Sequence, residues 1–280
     1  MQNQPQLRIR FAQLLTMTGT KLSSGELIIE SGKIISLDEK ASLNFSGETI
    51  DLSDYLLMPG FVNAHCHLTL SALKEKLKQN ESFVDWIFNL LEEDSKISEE
   101  KRLEAFLSAA DEMLQSGVTT FADYLGRPNW LPEYAKLPFR QVVFLEVFGF
   151  QSSKTEEIRN SIESFLKNGS PAPDRIALGI APHAPYSVSP ELFQALRKLA
   201  DKYRVPFSCH LAESEEEFNF LQSGEGDLKF LLNERGVYDP SWNPPRKTTL
   251  QYLEDLNILD SLIAIHLNHL KNKILLIYIK

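Results

Sequence analysis

From about residue 56 onward, short apolar runs alternate with amphipathic segments, and that alternation leaves few folds open. Apolar runs bounded by turn residues read as strands, and apolar residues at three-to-four spacing read as helices. The predicted strands are YLLMPGFVNAH (55–65), VTTFADY (118–124), FRQVVFLEVFGF (139–150), RIALGIAPH (175–183), VPFSCH (205–210) and SLIAIH (261–266). The third is apolar almost throughout, as a strand covered on both faces is. Helices are predicted over 81–92, 98–116, 155–169, 189–203, 214–222, 226–235 and 249–259. Ser98 caps the second of these and Gly117 stops it, and Ser189 with Pro190 opens the fourth. Strand and helix in alternation imply a parallel sheet, doubly wound or closed into a barrel. Six strands are countable, whereas a closed (β/α)8 barrel has eight in about 250 residues.

Residues 7–58 follow a different rhythm, with apolar stretches separated by Ser-Gly turns. Ser31-Gly32 between two β-branched runs predicts a hairpin. The chain therefore divides into a small β portion, 1–55, and an α/β portion, 56–280. A hydrophobic content of 43% in 280 residues supports a core without disulfides. The net charge of −9 argues against nucleic acid or an anionic membrane as partner. No signal-peptide core opens the chain and no apolar run reaches membrane-span length. Cys66 and Cys209 each sit inside an apolar strand, which predicts free thiols and a cytoplasmic protein.

The six histidines, 65, 67, 183, 210, 266 and 269, all lie at or within three residues of the C-terminal end of a predicted strand. Barrel enzymes build their sites at that end. His65 and His67 are two apart, so in a strand their imidazoles share a face, either to hold a metal or as ordinary surface or core histidines, while Cys66 points the other way. His210 is followed three residues later by Glu213, which reads either as a proton shuttle or as an acidic residue favoured at a helix start. Glu215, Glu216 and Glu217 read as a solvated helix face. His183, between two prolines, either contacts substrate or is a buried loop histidine. His266 is placed to orient an attacking water and His269 to touch substrate. Asp123 and Glu146, near strand ends, either reach a pocket or serve an arginine or a helix cap. Phe83, Trp86 and Phe88 either wall a pocket or fill core. RIALGIAPH has no lysine to bridge two metals, which favours a single ion.

PGFVNAHCHL, GVTTFADY, APHAPYSVSPELF, SCHLAESEEE and AIHLNHL together resemble the amidohydrolase superfamily, on the branch of cytosine, guanine and adenosylhomocysteine deaminases and triazine chlorohydrolases. HLTLSAL followed by SFVDWI resembles more narrowly the aminodeoxyfutalosine deaminases. The resemblance implies a TIM-type barrel with a small β-sandwich, and one divalent ion, zinc or iron, on His65, His67 and His210. It implies Glu213 as shuttle, His266 as the residue orienting the hydroxide and His183 as a substrate contact. The substrate implied is a small purine-like amino-heterocycle; chlorohydrolase or cyclic-amide hydrolase activity is the alternative on the same frame. The family's strand-8 aspartate has no counterpart here, and Lys271–Lys280 loses the polar-apolar pattern. These two features predict an incomplete, truncated barrel with little activity, or one completed by a second copy as a homodimer.

Overall fold

Pro59 and Gly60 separate two sheets. The computed structural model describes residues 6–38, 45–78 and 82–270, and the chain clusters into two units, Met1–Phe61 and Val62–Lys280. The first contains β1 (Gln6–Leu15), β2 (Lys21–Leu22), β3 (Gly25–Glu30), β4 (Lys33–Asp38) and β5 (Gly47–Leu57). They make one sheet in the order β2-β1-β3-β4, with β5 parallel to β1. Phe11, Leu14 and Leu27 are its buried cluster. The predicted hairpin is β3–β4. Glu30 pairs with Lys33 around Ser31 (φ 52°) and Gly32 (φ 73°), the two positive angles that a tight right-twisted hairpin demands.

Residues 55–65 do not form the single strand expected from their apolar run. Tyr55–Leu57 end β5 and belong to the first sheet, where Leu56 and Leu57 pair with Gln13 and Leu14. Proline has no N–H to give to a ladder, so the run breaks at Pro59 and a new strand starts at Phe61. The boundary between units accordingly falls after Phe61, not after Tyr55.

The second unit begins with β6 (Phe61–Cys66), all but its first residue, followed by a 3-10 turn (Leu68–Leu73), α1 (Phe83–Ser95), α2 (Glu99–Gln115) and β7 (Val118–Leu125). It continues with α3 (Leu131–Lys136), β8 (Arg140–Val147), α4 (Thr155–Asn168), β9 (Ile176–Pro182) and α5 (Pro190–Tyr203). Its last described elements are β10 (Phe207–Leu211), α6 (Glu215–Ser223), α7 (Asp227–Glu234), α8 (Thr249–Asp255) and β11 (Leu262–His266). β6 to β11 lie side by side in chain order, an incomplete TIM-type barrel with the six strands counted from the sequence. The 271–280 segment lies outside the described residues. The short α3, with a proline in its first turn, is too brief for a periodic signal and was not foreseen.

Two apolar layers hold this sheet. Outside, Phe106, Phe121, Phe139, Phe193 and Leu196 pack between strands and helices. Inside, Tyr124, Phe144 and Ala181 fill the barrel below its rim. Gly179 stands opposite Phe144 in register, and a Cβ there would lie 2.5 Å from the Phe144 ring, so only glycine admits that ring. Arg102, 1% exposed, donates to Asp94 (2.5 Å) and to the Thr69 carbonyl (3.1 Å). It thereby anchors the turn that follows His67 to α2.

Candidate metal centre and its cavity

The parallel register brings the C-terminal ends of the strands to one rim. His65 is the penultimate residue of β6, Glu146 of β8 and His210 of β10; His266 ends β11, and His183 follows β9. The His65 ring centroid lies 5.0 Å from His67, 5.0 Å from His210 and 5.3 Å from His266. Tyr124 forms the floor, 4.6 Å from His65 and 5.0 Å from His210. Its hydroxyl meets Ser208, whose own hydroxyl donates to the Ile263 carbonyl at 2.8 Å. Ligating atoms of His65, His210 and His266 lie within 4.8 Å of one another, as do those of His67, Glu146 and His210.

The hydrogen bonds around the rings determine their tautomers. His210 Nδ1 lies 3.0 Å from the His183 carbonyl, which can only accept, so Nδ1 carries the proton and Nε2 keeps its lone pair. His183 Nδ1 lies 2.7 Å from Ser187 Oγ, and that hydroxyl donates to the Ala184 carbonyl at 3.1 Å. His183 therefore donates through Nδ1 and also keeps Nε2 free to accept. Burial, with smaller repulsion from neighbouring histidines, lowers His65 and His67 to about 4 and His183 to about 3. His210 and His266 are lowered as well, again by burial. All five are neutral at pH 7, the form that binds a metal.

The carboxylates move the other way. Burial, then repulsion from Asp123 and Glu213, raises Glu146 to about 8; its Oε1 is 3.8 Å from His210 Nδ1. Burial, then Glu217, raises Glu213 to about 7; its Oε1 is 3.5 Å from His266 Nε2. Among the described residues, His65 Nδ1 and Glu146 Oε1 are buried without a hydrogen-bond partner. Polar atoms left so are costly unless an ion or ligand meets them. A cluster of neutral imidazoles beside a carboxylate fits a divalent cation of the zinc or iron type.

One cavity of about 590 Å³ is lined by His65, His67, Glu146, His183, His210, Glu213 and His266, and Trp86 and Phe83 wall it. Three sequence candidates lie elsewhere. Asp123 is fully buried and does not line the cavity. Its carboxylate accepts from the Leu68 N–H at 2.8 Å and from the Tyr134 hydroxyl, which holds the backbone just after His67. His269 is exposed beside a separate small hollow with Ala212 and Thr249. Phe88 packs on Phe230, 6.0 Å between centroids. The expected solvated face at 215–217 needs a larger correction. Glu217 is 0% exposed, because the first turn of α6 faces α8, and Thr249 donates to it at 2.7 Å. The Ser214-x-x-Glu217 spacing is a capping-box signature that would have found it.

A model of the family described as amidohydrolase matches residues 56–271. The chain belongs to the amidohydrolase family. A 5′-deoxyadenosine deaminase of Methanobrevibacter smithii is 28% identical over 215 residues, 75% of this chain and 49% of that protein. A 5-methylthioadenosine/S-adenosylhomocysteine deaminase of Desulfitobacterium hafniense is 27% identical over 267 residues, 92% and 57% of the two chains. The chain thus spans about half the length of these curated relatives. Among solved structures, an adenosine deaminase of Xanthomonas campestris with bound zinc superposes with a TM-score of 0.75 at 21% identity, covering 96% of this chain and 59% of that one. Among the described residues no helix is long and apolar enough to cross a membrane.

A pH dependence of this amidohydrolase chain follows from the site. The imidazoles, lowered from 6.5, contribute stability that is complete above pH 6.5 and lost as pH falls through their folded values. Glu146, Glu213 and Glu217, raised from 4.5 to about 8, 7 and 7, contribute stability that is complete below 4.5 and lost as pH rises through those values. Between about pH 6.5 and 8 the imidazoles change only through the tail of their unfolded-state titration, and the carboxylates change most. The urea midpoint of the metal-free chain, measured in chelator, should therefore fall across that window. A midpoint that is flat or rising would show that the three carboxylates are already ionised in the fold.

Proposed function

We propose that this chain is a metal-dependent aminohydrolase that removes the exocyclic amino group of an adenosine-derived nucleoside. The observation that carries this reading is the convergence of His65, His67, His210 and His266 with Glu213 at one end of a single cavity. His65, His67 and His210 would hold one zinc or iron ion. Such an ion supplies, when bound, a water acidic enough to serve as nucleophile at neutral pH.

The chain's own groups supply the rest. Glu213, raised to about 7, exchanges a proton near neutral pH at little cost. In this reading it moves one proton of the attacking water to the ring nitrogen, which keeps it in the 6-oxo product, and then the second to the departing amine; the C–O bond forms, the C–N bond breaks and ammonia leaves. His266, with Nε2 3.5 Å from that carboxylate, orients the same exchange. His183 offers Nε2 as an acceptor held still by Ser187. Glu146, protonated in large part at pH 7 because it is buried, can donate to a heterocycle nitrogen. Trp86 and Phe83, stacked at 6.0 Å, give a planar base an aromatic wall. Leu90, Leu91, Leu231 and Leu232 extend that wall and suit an apolar 5′ substituent over a bare base.

Ammonia release by the zinc-loaded or iron-loaded chain tests this reading. The panel is adenosine, 5′-deoxyadenosine, methylthioadenosine, S-adenosylhomocysteine and aminodeoxyfutalosine. Stoichiometric ammonia and a 6-oxo product from at least one of them is expected. A metal-replete, folded chain that releases none from any of them would overturn it.

A further inference from the structure

Glu217 lies outside the cavity and yet is fully buried. Its Oε1 accepts from the Ala212 N–H at 2.9 Å and from the Thr249 hydroxyl at 2.7 Å, and its Oε2 from the Glu213 N–H at 3.4 Å. An ordinary capping box returns the third helical residue to the N–H of the cap itself. Here the cap is Ser214, and the carboxylate reaches one and two residues further back, to the residue that faces His266 and the one before it. Ala212 is held at φ 47°, a left-handed angle that a residue with a Cβ adopts only when its surroundings enforce it. The same short segment is tied to the end of β11. The Leu267 N–H donates to the Leu211 carbonyl at 2.9 Å, and the His269 N–H to the Ala212 carbonyl at 2.9 Å.

We propose that Glu217 is a positioning residue for Glu213: its buried carboxylate clamps the Ala212–Glu213 backbone to α8 and so sets the reach of Glu213 toward His266. The inference rests on the reading of Glu213 as proton shuttle, but its geometry does not depend on turnover. A helix cap alone would need neither full burial, nor the Thr249 hydroxyl, nor the strained Ala212. The clamp does need all three, because a backbone held from one side only would relax from φ 47°.

The test is the ring-nitrogen spectrum of ¹⁵N-histidine-labelled chain, with the His266 signals assigned from a His266→Gln variant. Glu213→Gln gives the shift produced by losing the carboxylate at His266. Glu217→Ala should move the His266 signals in that same direction, and Thr249→Val should do so by less. Glu217→Gln keeps the shape and one acceptor oxygen, takes the place of the alanine variant should that one fail to fold, and should show an intermediate shift. Where ammonia release is measurable, kcat should fall roughly 10- to 100-fold at a KM within about twofold. Ser98→Ala, which removes the cap of α2, should lower the melting temperature without moving the His266 signals. A folded Glu217 variant whose His266 signals coincide with those of the parent overturns the proposal. Absence of ammonia release in the parent counts against the aminohydrolase reading alone, since the spectrum decides the clamp by itself.

Discussion

His210→Ala should abolish tight zinc binding, and His65→Ala should cut it by at least roughly 100-fold. The two differ because of what surrounds each ring. His210 sits at the centre of the cluster and belongs to both ligand groups, the one with His65 and His266 and the one with His67 and Glu146. Its Nδ1–H is engaged by the His183 carbonyl, so its Nε2 is pre-aimed and needs no ordering when an ion arrives. Among the described residues His65 Nδ1 lacks such a partner, and its ring meets Tyr124, His67, His210 and His266 edge-on. Removing His65 leaves His67 and His210, with Glu146 within reach once an ion displaces its proton; removing His210 leaves neither group whole. Metal content after dialysis, by mass spectrometry, and zinc affinity by competition with a chromogenic chelator measure both effects. Equal zinc content in parent and His210→Ala would place the ion elsewhere and remove the basis for the site.

Most of the barrel was legible because its signals are local. The strands from β7 to β11 are short, mostly apolar runs set between amphipathic segments, and Ser98 and Ser189 accept from the backbone three residues on, as cap residues do. The positional bias of the histidines was legible for the same reason: strand ends can be read from sequence, and five of the six histidines line one cavity. The failures are those that need a neighbour. Whether Tyr55–Leu57 pairs with β1 or joins the barrel depends on which sheet offers an edge, and the apolar run alone cannot say. Asp123 reads from sequence as a pocket residue, arginine partner or helix cap, and Glu217 as part of a solvated face, because their partners, Leu68 and Tyr134 in one case and Ala212 and Thr249 in the other, are distant in sequence or reached through the backbone. His269 misled in the opposite sense. It follows β11 by three residues, but the positive φ of His266 (73°) and Leu267 (58°) turns the chain away from the cavity before His269 is reached.

Glu213→Gln should remove turnover while leaving metal content unchanged. Glutamine keeps the length and planarity of the side chain and can occupy the same place beside His266, so the rim should not rearrange. What it loses is the exchangeable proton. Removing a positioned acid–base group costs about 10²- to 10⁴-fold in rate, and in the proposed reaction one carboxylate serves both ends of the transfer, which puts the expected loss toward the upper part of that range. Glu213 belongs to neither group of potential metal ligands, so zinc content should stay at the parent's value. The substitution also removes a raised carboxylate, so the metal-free variant should lose less stability than its parent between pH 6.5 and 8. Three measurements on one variant therefore bear on one residue: ammonia release, zinc content and the urea midpoint against pH. Turnover within tenfold of the parent, with zinc intact, would reduce Glu213 to an acidic residue at the start of α6 and return the proton transfer to Glu146, the other raised carboxylate of the cavity.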